Sequence, residues 1–395
     1  MALVPDIEAL TGEMTAWRRD IHAHPELGFQ EHRTSKLVIE KLKSFGIEVH
    51  TGIGKTGVVG VLRNGKANRQ IGLRADMDAL PILEANTFEH KSTKAGVMHA
   101  CGHDGHTTML LGAARYLAAT KKFDGTVHFI FQPAEEGIGG AKAMIDDGLF
   151  RRFPCEAVFG MHNRPGMPLG RFAVRSGPMM AGGAFFDIDI EGVGSHGARP
   201  ESGVDPVLVA AHVTAALQSI VSRNVRPQDT AVLSVTQIHS GDAYNVIPQR
   251  ARLSGTARCF SNEVMGLLEK NLRRLAQSVA AGFGARATTD FRVTFPPLLN
   301  DAREAEFAAS ICNDIVGAEH VKRDPALIMA SEDFAFMLAE VPGCYINIGN
   351  GDGKAGDATG ACEVHNPSYD FNDRALPYGA SFFARLVEQR LRSGV

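Results

Sequence analysis

The chain has 395 residues, enough for two or three domains of about 150 residues each. A hydrophobic fraction of 44% can fill real cores and excludes global disorder. With 41 Lys and Arg against 44 Asp and Glu, the net charge of -3 gives no sign of a nucleic-acid partner or a solvating acidic tail.

The start is acidic, with Asp6, Glu8 and Glu13, and has no cationic patch leading into an apolar stretch, so it does not read as a secretory signal. The first part then alternates helices with short apolar strands. Periodicity predicts a helix over 35–45 that stops at Gly46, strands at 58–62 and 71–74, and a helix over 107–120. A strand at 127–131, a helix near 140–145 and a strand at 157–161 follow. This grammar predicts an α/β domain with a mostly parallel sheet covered on both faces.

The middle of the chain changes character. Strand 184–190, helix 205–221, strands 231–238 and 251–259, helix 263–281 and strand 286–294 spell βαββαβ, the ferredoxin-like pattern. Gly182-Gly183 precedes it and Pro296-Pro297 follows it, as expected at hinges. Helices at 303–316 and 333–339, a strand at 345–348 and a helix from 373 to about 392 then restore the first grammar. The expectation is a discontinuous domain, 1–181 with 298–395, and an inserted α+β domain at 182–297. The most apolar stretch, 207–217, falls short of the roughly 18–20 residues that span a bilayer. No membrane partner is expected, and residence in the cytoplasm is. The six cysteines form no CxxC pair, which favours free thiols over a disulfide framework.

Ligands of open α/β sheets bind beyond the carboxyl ends of the strands. Asp76 and Asp78 follow strand 71–74; Glu135 and Glu136 follow strand 127–131. His162 ends strand 157–161, and His365 lies beyond strand 345–348. Cys101, His103 and His106 stand just before helix 107–120. Imidazole, carboxylate and thiolate together suit zinc, manganese, cobalt or nickel, and paired ions recur in hydrolases. In the Glu135-Glu136 pair, one carboxylate can bind metal while its neighbour takes a proton from water. His24, His90, His128, His212, His239 and His320 read as hydrogen-bonded structural residues, and the five cysteines other than Cys101 as packing. Two rival chemistries stay open. Cys101 could be a thiolate nucleophile with His103 or His106 as base, or the cluster could be a closed structural metal site.

The segments together resemble the M20 metallopeptidase family, in its amidohydrolase branch of hippurate hydrolases, N-acyl-amino-acid deacylases and indole-acetyl-amino-acid hydrolases. The likeness rests on Arg18-Arg19-Asp20-Ile21-His22-Ala23-His24-Pro25-Glu26, Asp76-Met77-Asp78-Ala79-Leu80-Pro81, His99-Ala100-Cys101-Gly102-His103-Asp104-Gly105-His106 and Gln132-Pro133-Ala134-Glu135-Glu136. It continues through Gly160-Met161-His162, Gly194-Ser195-His196-Gly197, Tyr244-Asn245-Val246-Ile247-Pro248, Ser331-Glu332-Asp333-Phe334 and His365-Asn366-Pro367. The resemblance implies two divalent transition-metal ions held by Cys101, His103, Glu136, His162 and His365, with the Cys101 thiolate bridging. It implies Glu135 as general base and Asp78 as a residue that orients a ligand. His106 is given no ligand role and is expected to start the helix. His196 matches an oxyanion-stabilising residue, often acting in the partner subunit's site. Asn245 and Arg258 match positions near the substrate's carboxylate. The implied reaction is hydrolysis of small N-acyl amino acids, the implied insert a lid that dimerises, and the implied assembly a homodimer or homotetramer. A dipeptidase or aminopeptidase activity, or a non-catalytic metal-binding member, is the alternative.

Overall fold

Apolar runs form the central strands, and mixed or alternating segments the others, of the computed structural model, which describes residues 3–354 and 360–392. In chain order these are β1 (Glu48–Ile53), β2 (Gly57–Asn64), β3 (Gln70–Asp76), β4 (Gly125–Gln132), β5 (Ala157–Pro165), β6 (Phe172–Ala173) and β7 (Gly177–Met180). Then come β8 (Gly182–Glu191), β9 (Ser195–His196), β10 (Ala231–Ser240), β11 (Val246–Ile247), β12 (Arg250–Cys259) and β13 (Arg286–Phe295). The last three are β14 (Leu298–Asn300), β15 (Val321–Lys322) and β16 (Gly343–Gly351).

The described residues fall into two compact units. One comprises the described residues of Met1–Gly177, Leu299–Ala326 and Phe336–Val395; the other comprises Pro178–Leu298 and Leu327–Ala335. The sequence placed residues 327–335 with the outer segments. They group with the insert instead, and the Arg258 Nη1 hydrogen bond to Ser331 Oγ at 2.6 Å is one tie that keeps them there.

The first unit is built on an eight-stranded sheet in the order β1-β2-β4-β3-β5-β16-β6-β15. Its centre, β4-β3-β5-β16, is parallel. β4 is buried along its whole length, as strands covered on both faces are. The antiparallel pairs β1-β2, β2-β4 and β16-β6 lie outward of it. From β3 the chain moves to β4 on one side and later to β5 on the other, so the order reverses around β3, where a crevice at the carboxyl ends is expected. Between β3 and β4 runs the helix His103–Thr120, almost wholly buried. Gly105 is what allows this. A Cβ there would lie 2.3 Å from the Phe371 ring, so only glycine admits that ring against the helix.

The second unit is the βαββαβ pattern. Its antiparallel sheet has the order β10-β12-β8-β13. Along β8, Ala184, Phe186, Ile188 and Ile190 join the core, while Phe185, Asp189 and Glu191 are exposed. The helices Pro206–Arg223 and Asn262–Gly282 contribute Val209, Val213, Leu217, Leu268 and Leu272 to the same core. Asp205 caps the first by accepting from the Val207 and Leu208 amides; Ser261 caps the second by accepting from the Val264 amide. Among the described residues, no helix is long and apolar enough to cross a membrane.

Candidate metal centre

The carboxyl ends of the central strands bring seven of the sequence-selected residues together in the first unit. Ligand-capable atoms of Cys101, His103 and His162 lie within 4.8 Å of one another. So do those of Cys101, Glu136 and His365, and those of His103, Glu135 and Glu136. Cys101 is common to two of these groups. His162 Nε2 lies 3.3 Å from Cys101 Sγ, and His365 Nε2 lies 3.1 Å from Glu136 Oε1.

The imidazoles are held by their other nitrogen or by the backbone. His103 Nδ1 donates to the Asp78 carbonyl at 2.9 Å and lies 3.1 Å from Asp78 Oδ1. Its buried Nε2 makes no hydrogen bond among the described residues. Asp78 Oδ2 accepts from the Glu136 amide at 3.0 Å, so one carboxylate fixes both His103 and Glu136. His162 Nδ1 donates to the Asn163 carbonyl at 2.7 Å, which turns Nε2 toward Cys101. His365 stands at φ 61°, a left-handed conformation, with its amide donating to the Ala100 carbonyl at 2.7 Å. A buried imidazole nitrogen left open beside a thiol and carboxylates, with second-layer hydrogen bonds in place, fits a divalent transition metal.

A charged layer lies behind these residues. His106 Nδ1 donates to Asp76 Oδ1 at 2.6 Å, and its Nε2 accepts from the Asn163 amide at 3.0 Å. Both ring nitrogens are therefore used, and His106 braces the strand end that carries His162. The helix begins at His103 rather than at residue 107, so His106 lies inside its first turn. Arg74 donates to Asp76 Oδ2 at 2.6 Å. Burial opposes ionisation of Asp76, but the charges of His103, His106 and Arg74 hold its pKa well below the usual carboxylate value. Burial pushes the Cys101 thiol up, and Glu136 adds to this. Burial also pulls His162 down, helped by His106. Next to His103, Asp104 accepts from His22 Nδ1 at 2.8 Å and lies 3.5 Å from Arg18 Nη1, all three fully buried. Sequence reasoning assigned no role to Asp104, Arg18 or His22, and offered His106 only as a helix start or as a base for Cys101; a charged residue inside an apolar helix, as Asp104 is, was the available signal. Among the histidines read as structural, His128 lies in β4 with Nε2 at 3.0 Å from Gln70 Oε1.

The other three selected residues belong to the second unit. His196 is exposed in the short β9-β11 ladder, opposite Val246. The adjacent Gly197 amide donates to the Asn245 carbonyl at 2.7 Å, which makes His196 and Asn245 neighbours. Arg258 lies over Gly183, where a Cβ would come 2.6 Å from its Nη1.

The profile of peptidase family M20/M25/M40 matches residues 72–389. The chain belongs to that family. Hippurate hydrolase from Campylobacter jejuni is 43% identical over 99% of this chain and 100% of its own length. The IAA-amino acid hydrolase ILR1-like 4 of Arabidopsis thaliana is 40% identical over 96% of this chain and 86% of its own. A crystal structure of a Bacillus subtilis dinuclear metal binding peptidase from the M20 family superposes with a TM-score of 0.85 at 33% identity, covering 98% of this chain and 99% of that one.

Proposed function

We propose that the chain is a metal-dependent amidohydrolase that cleaves N-acyl amino acids to a carboxylic acid and a free amino acid. The acyl groups would be of the N-acetyl, N-benzoyl or indole-acetyl type. The observation that carries this is the pair of donor groups sharing Cys101, with Glu135 beside His103 and Glu136. Relatives named for hippurate and indole-acetyl conjugates support the substrate class. In this reading Cys101, His103, Glu136, His162 and His365 hold two divalent ions of zinc, manganese, nickel or cobalt. Such ions lower the pKa of bound water and polarise a carbonyl. Glu135 removes a proton from the attacking water as oxygen bonds to the acyl carbon, then delivers it to the amine nitrogen as the C–N bond breaks. His196 stabilises the oxyanion, and Arg258 with Asn245 holds the carboxylate of the amino-acid half. Asp78 keeps His103 and Glu136 in place.

The assembly we propose is a homodimer or homotetramer formed through the insert. Its edge strand β10 is ten residues long, pairs on one side only among the described residues, and exposes Val232 and Ile238. A cytoplasmic location is consistent with six free cysteines.

The test is a panel of N-acetyl, N-benzoyl and indole-acetyl amino acids with a dipeptide, run on protein loaded in turn with each of the four metals. Release of amino acid that a chelator stops and added metal restores is expected. Turnover that survives chelation would overturn the metal reading in favour of a cysteine nucleophile. Cleavage of the dipeptide alone would move the chain to the peptidase reading, and no cleavage at all to a binding role.

A further inference from the structure

The loop after β4 carries both Glu135 and Glu136, and its backbone enters them through a conformation that side chains disfavour. Ala134 stands at φ 51°, in the left-handed region. Both its peptide groups are tied. Its amide donates to Glu31 Oε1 at 2.8 Å, and its carbonyl accepts from the Gly140 amide at 2.9 Å. Glu31 is fully buried, and its Oε2 accepts from the Thr56 hydroxyl at 2.5 Å. The Ser35 hydroxyl in turn donates to the Thr56 carbonyl.

The surroundings repeat the strain. Phe29 at φ 61° lies two residues before Glu31, and Lys55 at φ 74° lies one before Thr56. Lys55 Nζ sits 4.0 Å from the centroid of the Phe29 ring. Gly28 leaves the space this needs, because a Cβ there would come 3.0 Å from Ala134 Cβ and 2.9 Å from Ile138 Cδ1. Among the described residues, five non-glycine residues have positive φ; one of them, Ala134, is bonded to the Glu31 carboxylate, and two more, Phe29 and Lys55, are close chain neighbours of Glu31 and of its partner Thr56. Strain of this kind persists where the surroundings over-determine the backbone, and it gathers at working sites. Burial also pushes the Glu31 carboxyl pKa up, only partly offset by its Thr56 hydrogen bond, so the group is kept at a cost to folding.

We propose that Glu31 is a positioning residue for the proton carrier: seated by Thr56, its carboxylate grips the Ala134 amide and holds the left-handed turn that sets Glu135 beside His103 and Glu136. The proposal rests on the reading of Glu135 as the group that moves the proton. A helix start at Glu31 alone would not require a tie to a loop over 100 residues away.

The experiment compares wild type, Glu31→Ala, Glu31→Gln and Glu31→Ala combined with Ala134→Gly. In Glu31→Ala, kcat should fall on the order of a hundredfold, the loss seen when a reacting group is misplaced by about 1 Å. KM and bound metal should stay unchanged. Deuterium exchange at the Ala134 amide of metal-free protein should rise. Glu31→Gln keeps an oxygen for that amide and should stay near wild type. Adding Ala134→Gly should restore about tenfold of the lost kcat, since glycine takes a positive φ without a tether. A merely destabilised fold would not be rescued by a glycine. Wild-type kcat or wild-type exchange in Glu31→Ala would overturn the proposal, and so would a double variant no better than Glu31→Ala. If Glu31→Ala does not fold, Thr56→Val unseats the same carboxylate, and its lost kcat must likewise return with Ala134→Gly. The exchange measurement needs no turnover. A wild type that hydrolyses nothing therefore refutes the proposed function while exchange still judges the tether.

Discussion

Asp78 does two jobs with one carboxylate: Oδ1 faces His103 Nδ1 and Oδ2 receives the Glu136 amide. Removing the carboxylate releases the Glu136 amide and leaves His103 only its bond to the Asp78 carbonyl. Asp78→Ala should therefore weaken metal binding by about ten- to a hundredfold, read by competition with a chromogenic chelator. Glu135→Gln should behave in the opposite way. Metal content should hold while kcat drops by roughly a hundred- to ten-thousandfold, the usual range for a lost acid-base group. Activity near wild type in that variant would sink the proton-carrier role. At this scale the ligand-capable residues were legible because each stands beyond a strand end or just before a helix of a recognisable α/β pattern. Glu31, Arg18, His22 and Asp104 were not. Glu31 and Ala134, like His22 and Asp104, are far apart in sequence, and no local spacing reports such partners.

Among the elements, the helix His103–Thr120 is exacting because it presses glycine against an aromatic ring. Gly105→Ala should cost about 1–3 kcal/mol in urea unfolding, as overpacked cores do. Two buried histidines on neighbouring elements set a pH window. Burial works against charged His22, but its hydrogen bonds to Asp104 and Glu84 hold its pKa up to about 9. A raised pKa contributes stability that is full below the unfolded value of 6.5 and is lost as pH climbs through 9. Burial, with Arg63 adding to it, takes His128 in β4 down to about 4. Its contribution is full above 6.5 and is lost as pH falls through 4. Urea midpoints should thus peak near neutrality, and His22→Gln should flatten the alkaline side. An unchanged alkaline slope would show that His22 is not responsible. The central strands and the helices Pro206–Arg223 and Asn262–Gly282 were legible from periodicity. β1 was not, because Glu48, His50 and Thr51 make an edge strand without an apolar signature. β6 and β15, two residues each, are too short to leave a pattern.

The molecule divides its labour between two cores. Every donor group containing Cys101 lies in the first unit, whereas the second has an apolar core of its own. Ligand binding stabilises only the structure that binds. Chelation should therefore lower the unfolding temperature of the first unit in calorimetry and leave the transition of the insert where it was. A shift in both would mean that the two unfold as one. The split was legible as a change of grammar in the sequence. The grouping of residues 327–335 with the insert was not, because it depends on contacts such as Arg258 with Ser331.

The discontinuity also orders events in time. Cys101, His103, Glu136 and His162 leave the ribosome before the insert, and His365 leaves after it. The Cys101-Glu136-His365 group therefore cannot close until nearly the whole chain has been made, whereas the continuous βαββαβ segment can fold earlier. A nascent chain truncated after the insert would hold Cys101 and His103 without the last imidazole, an incomplete claw for any ion it meets.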